Sequence, residues 1–211
     1  KKVLETTGKL GDMAISPNSN NLVFLGASSY NDPIAQSIYL VPLNGGRAKM
    51  LTPDFKESFI TLDWIDDKTV LGKSYRGTKT VLSTIDIKGG SPEGISNQTD
   101  LLIPDEIITF VSYHRATGKL VIVSNSQSNP NEIFIGEVGS NSIKRLTYSN
   151  PELNDIALAK QETISWKSKD GLMIEGVLTY PLKYRKGKRY PLVLQIHGGQ
   201  DGSRKYGWNN R

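Results

Sequence analysis

"LDWIDDKTVLGKS", residues 62–74, carries the plan of most of this chain. An apolar strand ends at Trp64, a polar turn rich in Asp follows, and a second apolar strand runs through Val70 and Leu71. The same plan stands upstream in "MAISPNSNNLVFLGA" (13–27) and downstream in "VSYHRATGKLVIVSNS" (111–126). Aligned on the last residue before each turn, Ile15, Trp64 and Tyr113 are spaced by 49 residues and then by 49 again. β-Branched and aromatic runs punctuated by Asn, Asp, Gly and Pro are strand-and-turn signals. A third strand is expected in each unit, in "SIYLVPL" (37–43), "VLSTIDI" (81–87) and "EIFIGEV" (132–138). A fourth segment closes each one: "AKMLTPD" (48–54), "PEGISNQ" (92–98) and "IKRLTYS" (143–149). The first and last of these share Leu-Thr, at Leu51-Thr52 and Leu146-Thr147.

Four strands in roughly 40–50 residues is the pattern of a β-propeller blade. A blade buries its sheet faces only against neighbouring blades, and a closed ring takes about four to eight of them. Three blades do not close a ring. One sheet face is therefore expected to lie open where another blade would sit. The opening "KKVLETTGKLGDMAIS", beginning at Lys1, agrees with this and reads as the interior of a longer polypeptide.

With 211 residues there is room for one large or two small domains. Hydrophobic residues at 37% and charged residues at 22% fit a folded rather than a disordered chain. No apolar run approaches the ~18–20 residues of a membrane-spanning helix. Cysteine is absent, which excludes disulfides, thiolate metal sites and cysteine nucleophiles and leaves the compartment open. The net charge of +5 is uneven: from Lys160 onward it is +7, and before that −2. Much of the excess lies in "KYRKGKR" (183–189). Neither helical periodicity nor an aromatic stacking platform accompanies that run. It reads as a solvated loop, and no nucleic-acid partner is expected.

After Pro151 the pattern changes. Residues 1–150 are expected to form the partial propeller and 151–161 a linker with weak helical character. In residues 162–211 the fold class is expected to switch from all-β to α/β. There Asp170-Gly171 sits between alternating strands, a strong hairpin signal, with Ile174, Val177 and Leu178 on its apolar side. Leu192 to Ile196 is nearly continuously apolar, as a strand buried on both faces should be, and it opens onto His197-Gly198-Gly199. Two readings of that triplet stand. One is a Gly-rich turn at a strand end. The other is the His-Gly-Gly loop of α/β-hydrolases, whose backbone N–H stabilises the oxyanion of a tetrahedral intermediate.

The succession of Leu-Thr, a Pro/Asn/Leu linker, "SKDGLMIEGVLTYP" and "YPLVLQIHGG" resembles the prolyl oligopeptidase family of serine peptidases, in particular its acylaminoacyl-peptidase and dipeptidyl-peptidase-5-like branch. The resemblance spans essentially the whole chain; the blades match generically and residues 170–199 more specifically. It implies an N-terminal propeller followed by the first strands of an α/β-hydrolase domain. It also implies that Gly199 is an oxyanion-hole donor through its backbone N–H, that Gly198 lets the chain turn, and that His197 orients the loop structurally. Gln200 departs from the proline usual there. The implied partners are short peptide substrates and the rest of the same polypeptide. The oligomeric state stays open, and no cofactor or metal is implied.

The machinery that such chemistry also needs is missing from these residues. No Gly-x-Ser-x-Gly elbow occurs; the nearest approach, Gly89-x-Ser91-x-Glu93, fails at its last position. The two histidines, His114 and His197, lie far apart, and His114 reads as a surface residue at a blade turn. "DWIDD" (Asp63, Asp66, Asp67) lacks the spacing and distal Glu of a calcium loop and reads as a turn. Asp105-Glu106 is too common a pair to mark a site that holds a substrate's amino group. By itself the chain is expected to be inactive. A non-catalytic peptide-binding propeller and an esterase on the same scaffold are the competing readings; a binding module has no need of residues 162–199.

Overall fold

The computed structural model describes residues 2–6, 8–32, 36–53, 55, 57–88, 98–101, 107–140, 143–199 and 202–208, with the backbone alone at 98–101. Three four-stranded sheets succeed one another along the chain, each a meander in sequence order. The first holds Leu10–Ile15 (β1), Asn21–Gly26 (β2), Ser37–Pro42 (β3) and Lys49–Met50 (β4). Ser58–Trp64 (β5), Thr69–Arg76 (β6), Lys79–Asp86 (β7) and Gln98–Leu101 (β8) make the second. The third comprises Ile107–His114 (β9), Lys119–Asn125 (β10), Glu132–Glu137 (β11) and Ile143–Arg145 (β12). All neighbouring strands pair antiparallel. These are propeller blades, and they do not close into a ring. Strand β8 begins at Gln98, where the segment expected to form it ends; residues 92–97 lie outside the described part.

The repeat has a physical basis in contacts between blades. Trp64, fully buried, donates its indole N–H to the Ala14 carbonyl at 2.9 Å. Asp12 accepts the Thr61 hydroxyl at 2.6 Å and the Leu62 N–H at 3.1 Å. Between the second and third blades, Arg115 donates from Nε to the Trp64 carbonyl at 3.0 Å and pairs with Asp63 at 3.2 Å. Apolar side chains fill both gaps. Val23, Leu25 and Ile38 meet Phe59, Trp64 and Val70 in one cluster, while Leu71 and Leu82 meet Ile108, Leu120 and Ile122 in the other. Val70 and Leu71 are adjacent and so point to opposite faces of β6, which explains why that strand is buried on both sides.

The repeated Leu-Thr has one structural task in both blades. Leu51 and Leu146 donate their N–H groups to the carbonyls of Ile38 and Ile133. The Thr52 and Thr147 hydroxyls accept the N–H groups of the same two isoleucines, each at 2.9 Å. Ile15, aligned with Trp64, is 52% exposed, as are Leu10 and Met13 on the same strand, because no described blade covers that side of β1.

Beyond the blades, Pro151–Asp155 forms a short 3-10 helix. Gln161–Lys167 (β13) and Met173–Thr179 (β14) form the expected hairpin, turning through residues 168–172. Its apolar side is less buried than the sequence predicts: Ile174 is 39% exposed, and Val177 and Leu178 are only half-buried. The segment predicted as a doubly buried strand is corrected too. Leu192, Val193, Leu194 and Ile196 form no strand and are 76–90% exposed. A central strand is defined by partners on both edges, and no described segment pairs with this one. Among the described residues no helix is long and apolar enough to cross a membrane.

Candidate functional site

The hairpin β13–β14 stands against one end of the blades, the end carrying the β6–β7 and β10–β11 turns. The Thr163 hydroxyl meets the Thr78 hydroxyl at 2.7 Å, and the Gln161 N–H reaches the Gln127 side chain at 3.1 Å. From β14 the chain passes Tyr180, Tyr184 and Tyr190, whose rings pack at 4.7 and 5.5 Å between centroids. These three rings were not foreseen as a group from the sequence. They sit beside the basic run, with Lys188 5.6 Å above Tyr190 and Lys160 5.6 Å above Tyr180. The rings are tilted against one another, and the loop itself is solvent-exposed.

The exposed apolar stretch then leads to His197-Gly198-Gly199. Gly199 has φ +77°, in the region that L side chains rarely adopt, while Gly198 is not in that region and has open space where a side chain would stand. The chain folds back at once. Gly202 donates its N–H toward the Gly199 carbonyl at 3.4 Å and lies so close to the Gly198 carbonyl and the His197 ring that no side chain fits there. Gln200 lies outside the described residues.

From Gly202 onward the main chain forms a strap held along its length. The Tyr206 N–H donates to the Thr78 carbonyl at 2.9 Å. Gln161 takes both sides of the Gly207 residue: its Oε1 accepts the Gly207 N–H at 2.9 Å, and its Nε2 donates to the Gly207 carbonyl at 2.7 Å. The Trp208 N–H donates to Asn125 Oδ1 at 2.9 Å, and Asn125 is itself oriented by donating to Asn131 at 2.9 Å. Gly207 (φ +136°) has no room for a Cβ, which would stand 2.6 Å from Asn125 Oδ1 and 2.8 Å from Ile107 Cγ1. Lys205 lies 3.8 Å from the Tyr75 ring centre, with Ser203 and the Gly77 carbonyl as its polar neighbours. Burial pushes its ammonium down to about 8; the ring face, which favours the cation, acts the other way.

No protein-family profile matches the chain. Over 220 aligned positions it is 25% identical to a probable dipeptidyl-peptidase 5 of Emericella nidulans, covering 97% of this chain and 28% of that protein. The acylaminoacyl peptidase of Pyrococcus horikoshii superposes with a TM-score of 0.67 at 14% identity, over 92% of this chain and 28% of that one. The chain is thus similar, at low identity and over a fraction of their length, to peptidases of the kind that the sequence resembles. A putative TolB of Agrobacterium tumefaciens shares the fold over 65% of this chain and 46% of its own, with a TM-score of 0.51 at 21% identity. This chain spans 28% of the length of the curated relatives it matches.

The residues singled out from the sequence do not all meet. His197, Gly198 and Gly199 form one turn. His114 stands exposed at the far end of the third blade, its Nδ1 2.9 Å from the Thr117 hydroxyl. The carboxylates of "DWIDD" each hold a turn or a blade: Asp63 holds Arg115, Asp66 accepts the Lys68 N–H and Asp67 accepts the Asn18 N–H. Gly89, Ser91, Glu93, Asp105 and Glu106 lie outside the described residues. Sequence reasoning missed Gln161, Asn125 and Lys205, because partners 46 and 83 residues apart leave no local pattern. Gly207 was the one available signal, a glycine between two aromatics.

Proposed function

We propose that these residues are the propeller-side portion of a serine peptidase that hydrolyses short peptides by acyl transfer. In this reading 1–150 are propeller, 151–161 linker and 162–211 the entry to the hydrolase domain. The serine, its histidine base and the acidic partner come from elsewhere in the polypeptide. The Gly199 backbone N–H stabilises the oxyanion, and the propeller limits access to small substrates. The observation that carries this reading is the His197–Gly199 turn at the hairpin end of the blades, with Gly199 at φ +77°. A left-handed glycine lets a backbone N–H approach a substrate with no side chain in the way.

The test uses the full-length protein with chromogenic acylaminoacyl and dipeptidyl substrates. Turnover that a serine-directed phosphonate abolishes is expected, along with none from the 211-residue chain alone. Gly199→Ala keeps the N–H but places a Cβ on a left-handed residue, turning the donor out of line, and is expected to lower kcat on the order of a hundredfold. Peptide binding without hydrolysis by the full-length protein would overturn the assignment in favour of a binding module. Turnover of esters alone would overturn it in favour of an esterase.

A further inference from the structure

We infer that Gln161 and Asn125 are positioning residues through which the hairpin and the third blade set the geometry of the His197–Gly199 turn. This rests on the peptidase reading above. Three consecutive backbone N–H groups, of Tyr206, Gly207 and Trp208, are each taken by an acceptor from another part of the fold, at 2.9 Å in every case. Those acceptors belong to the β6–β7 turn, to β13 and to the end of β10. The strap is thus fixed to three elements at once.

Main-chain recognition of this kind cares little about side chains, with one exception. The buried Gly207 is read directly, because a Cβ there meets Asn125 and Ile107. Gln161 is suited to its task because a carboxamide offers one acceptor and one donor side by side, matching both polar groups of a single residue. Upstream, the strap joins the turn through Gly202, which lies against the Gly198 carbonyl and the His197 ring. Lys205, half-buried over Tyr75, holds the middle of the strap down. With the clamp open, Gly202 keeps its contacts to the turn itself and the strap keeps those of Lys205 and Tyr206, but the two side chains that fix Gly207 and Trp208 are gone, and with them part of what sets the direction of the Gly199 N–H. Catalytic geometry is steep in position: a shift of about 1 Å from a remote change costs on the order of a hundredfold in rate.

The experiment compares Gln161→Leu, Asn125→Leu and Asn125→Asp in the full-length protein, with Thr117→Ala at the opposite end of the blades as control. Gln161→Leu and Asn125→Leu are expected to lower kcat by about ten- to a hundredfold with KM within twofold. Asn125→Asp keeps an acceptor for the Trp208 N–H but loses the donation to Asn131, and its kcat is expected to fall between those of Asn125→Leu and the wild type. Thr117→Ala leaves it unchanged. Hydrogen exchange supplies a readout independent of catalysis: in Gln161→Leu the amides of Tyr206 to Trp208 and of Gly202 exchange at least about tenfold faster, while the β5–β7 amides keep their protection. An inactive wild-type protein sinks the peptidase reading. An active wild type whose Gln161→Leu variant keeps its kcat and the protection of its Gly202 and Tyr206–Trp208 amides sinks only this inference. Equal loss of protection throughout the blades would show a general structural role and overturns it as well.

Discussion

Glu132 is the most demanding residue of the third blade. Its carboxylate is buried at the start of β11. Burial alone would raise its pKa. Hydrogen bonds from the Thr147 hydroxyl and the Ser149 N–H, together with Arg145 at 3.0 Å, outweigh that and hold it below the ordinary range. A carboxyl depressed by folding stabilises the protein above its unfolded pKa and loses that contribution as pH falls through the folded value. Glu132→Gln is therefore expected to cost about 1.5–3 kcal/mol near neutrality and to flatten the fall in Tm below about pH 4.5. An unchanged acid limb in thermal melts would refute this. Lys205 is depressed as well, but here burial disfavours the charged form instead of partners favouring it. Its folded pKa of about 8 lies below the ordinary 10.5, so the unfolded chain retains a proton that the folded one releases. Stability from this group rises between those two pH values, and Lys205→Met should abolish that rise in denaturant titrations.

Between elements, the buried Lys73 of β6 reaches the Thr109 carbonyl of β9 at 3.0 Å, and burial lowers its pKa. Lys73→Met keeps the stem and removes a charge poorly placed between two blades. A Tm rise of about 2–4 °C is expected, and a fall would show that the carbonyl contact outweighs the desolvation. The blades were the most legible part of the sequence because every element in them is specified locally. A polar turn, an alternating strand and a Leu-Thr cap are each read within a dozen residues, and the 49-residue spacing repeats them. The hairpin turn at Asp170-Gly171 was legible for the same reason. The stretch from Leu192 to Ile196 was not: continuous apolarity states that a segment wants covering on both sides, but not what covers it. The clamp was illegible because it binds main chain, which every sequence contains.

At the scale of the whole molecule, the three sheets lean on one another in series, the first on the second and the second on the third. A truncation of Trp64 should therefore spread both ways, since its indole donates to the first blade and its carbonyl accepts from the third. Trp64→Ala is expected to cost about 3–5 kcal/mol and to reduce protection in all three blades, whereas Thr147→Ala should loosen the third alone. Hydrogen exchange resolved by segment separates the two outcomes. The meander also has a consequence in time. Each blade pairs strands adjacent in the chain, so it can assemble as it leaves the ribosome, without waiting for distant sequence. The strap cannot: its partners Thr78, Asn125 and Gln161 span two blades and the hairpin, and all of them are synthesised before it. The strap is thus laid on a scaffold already in place.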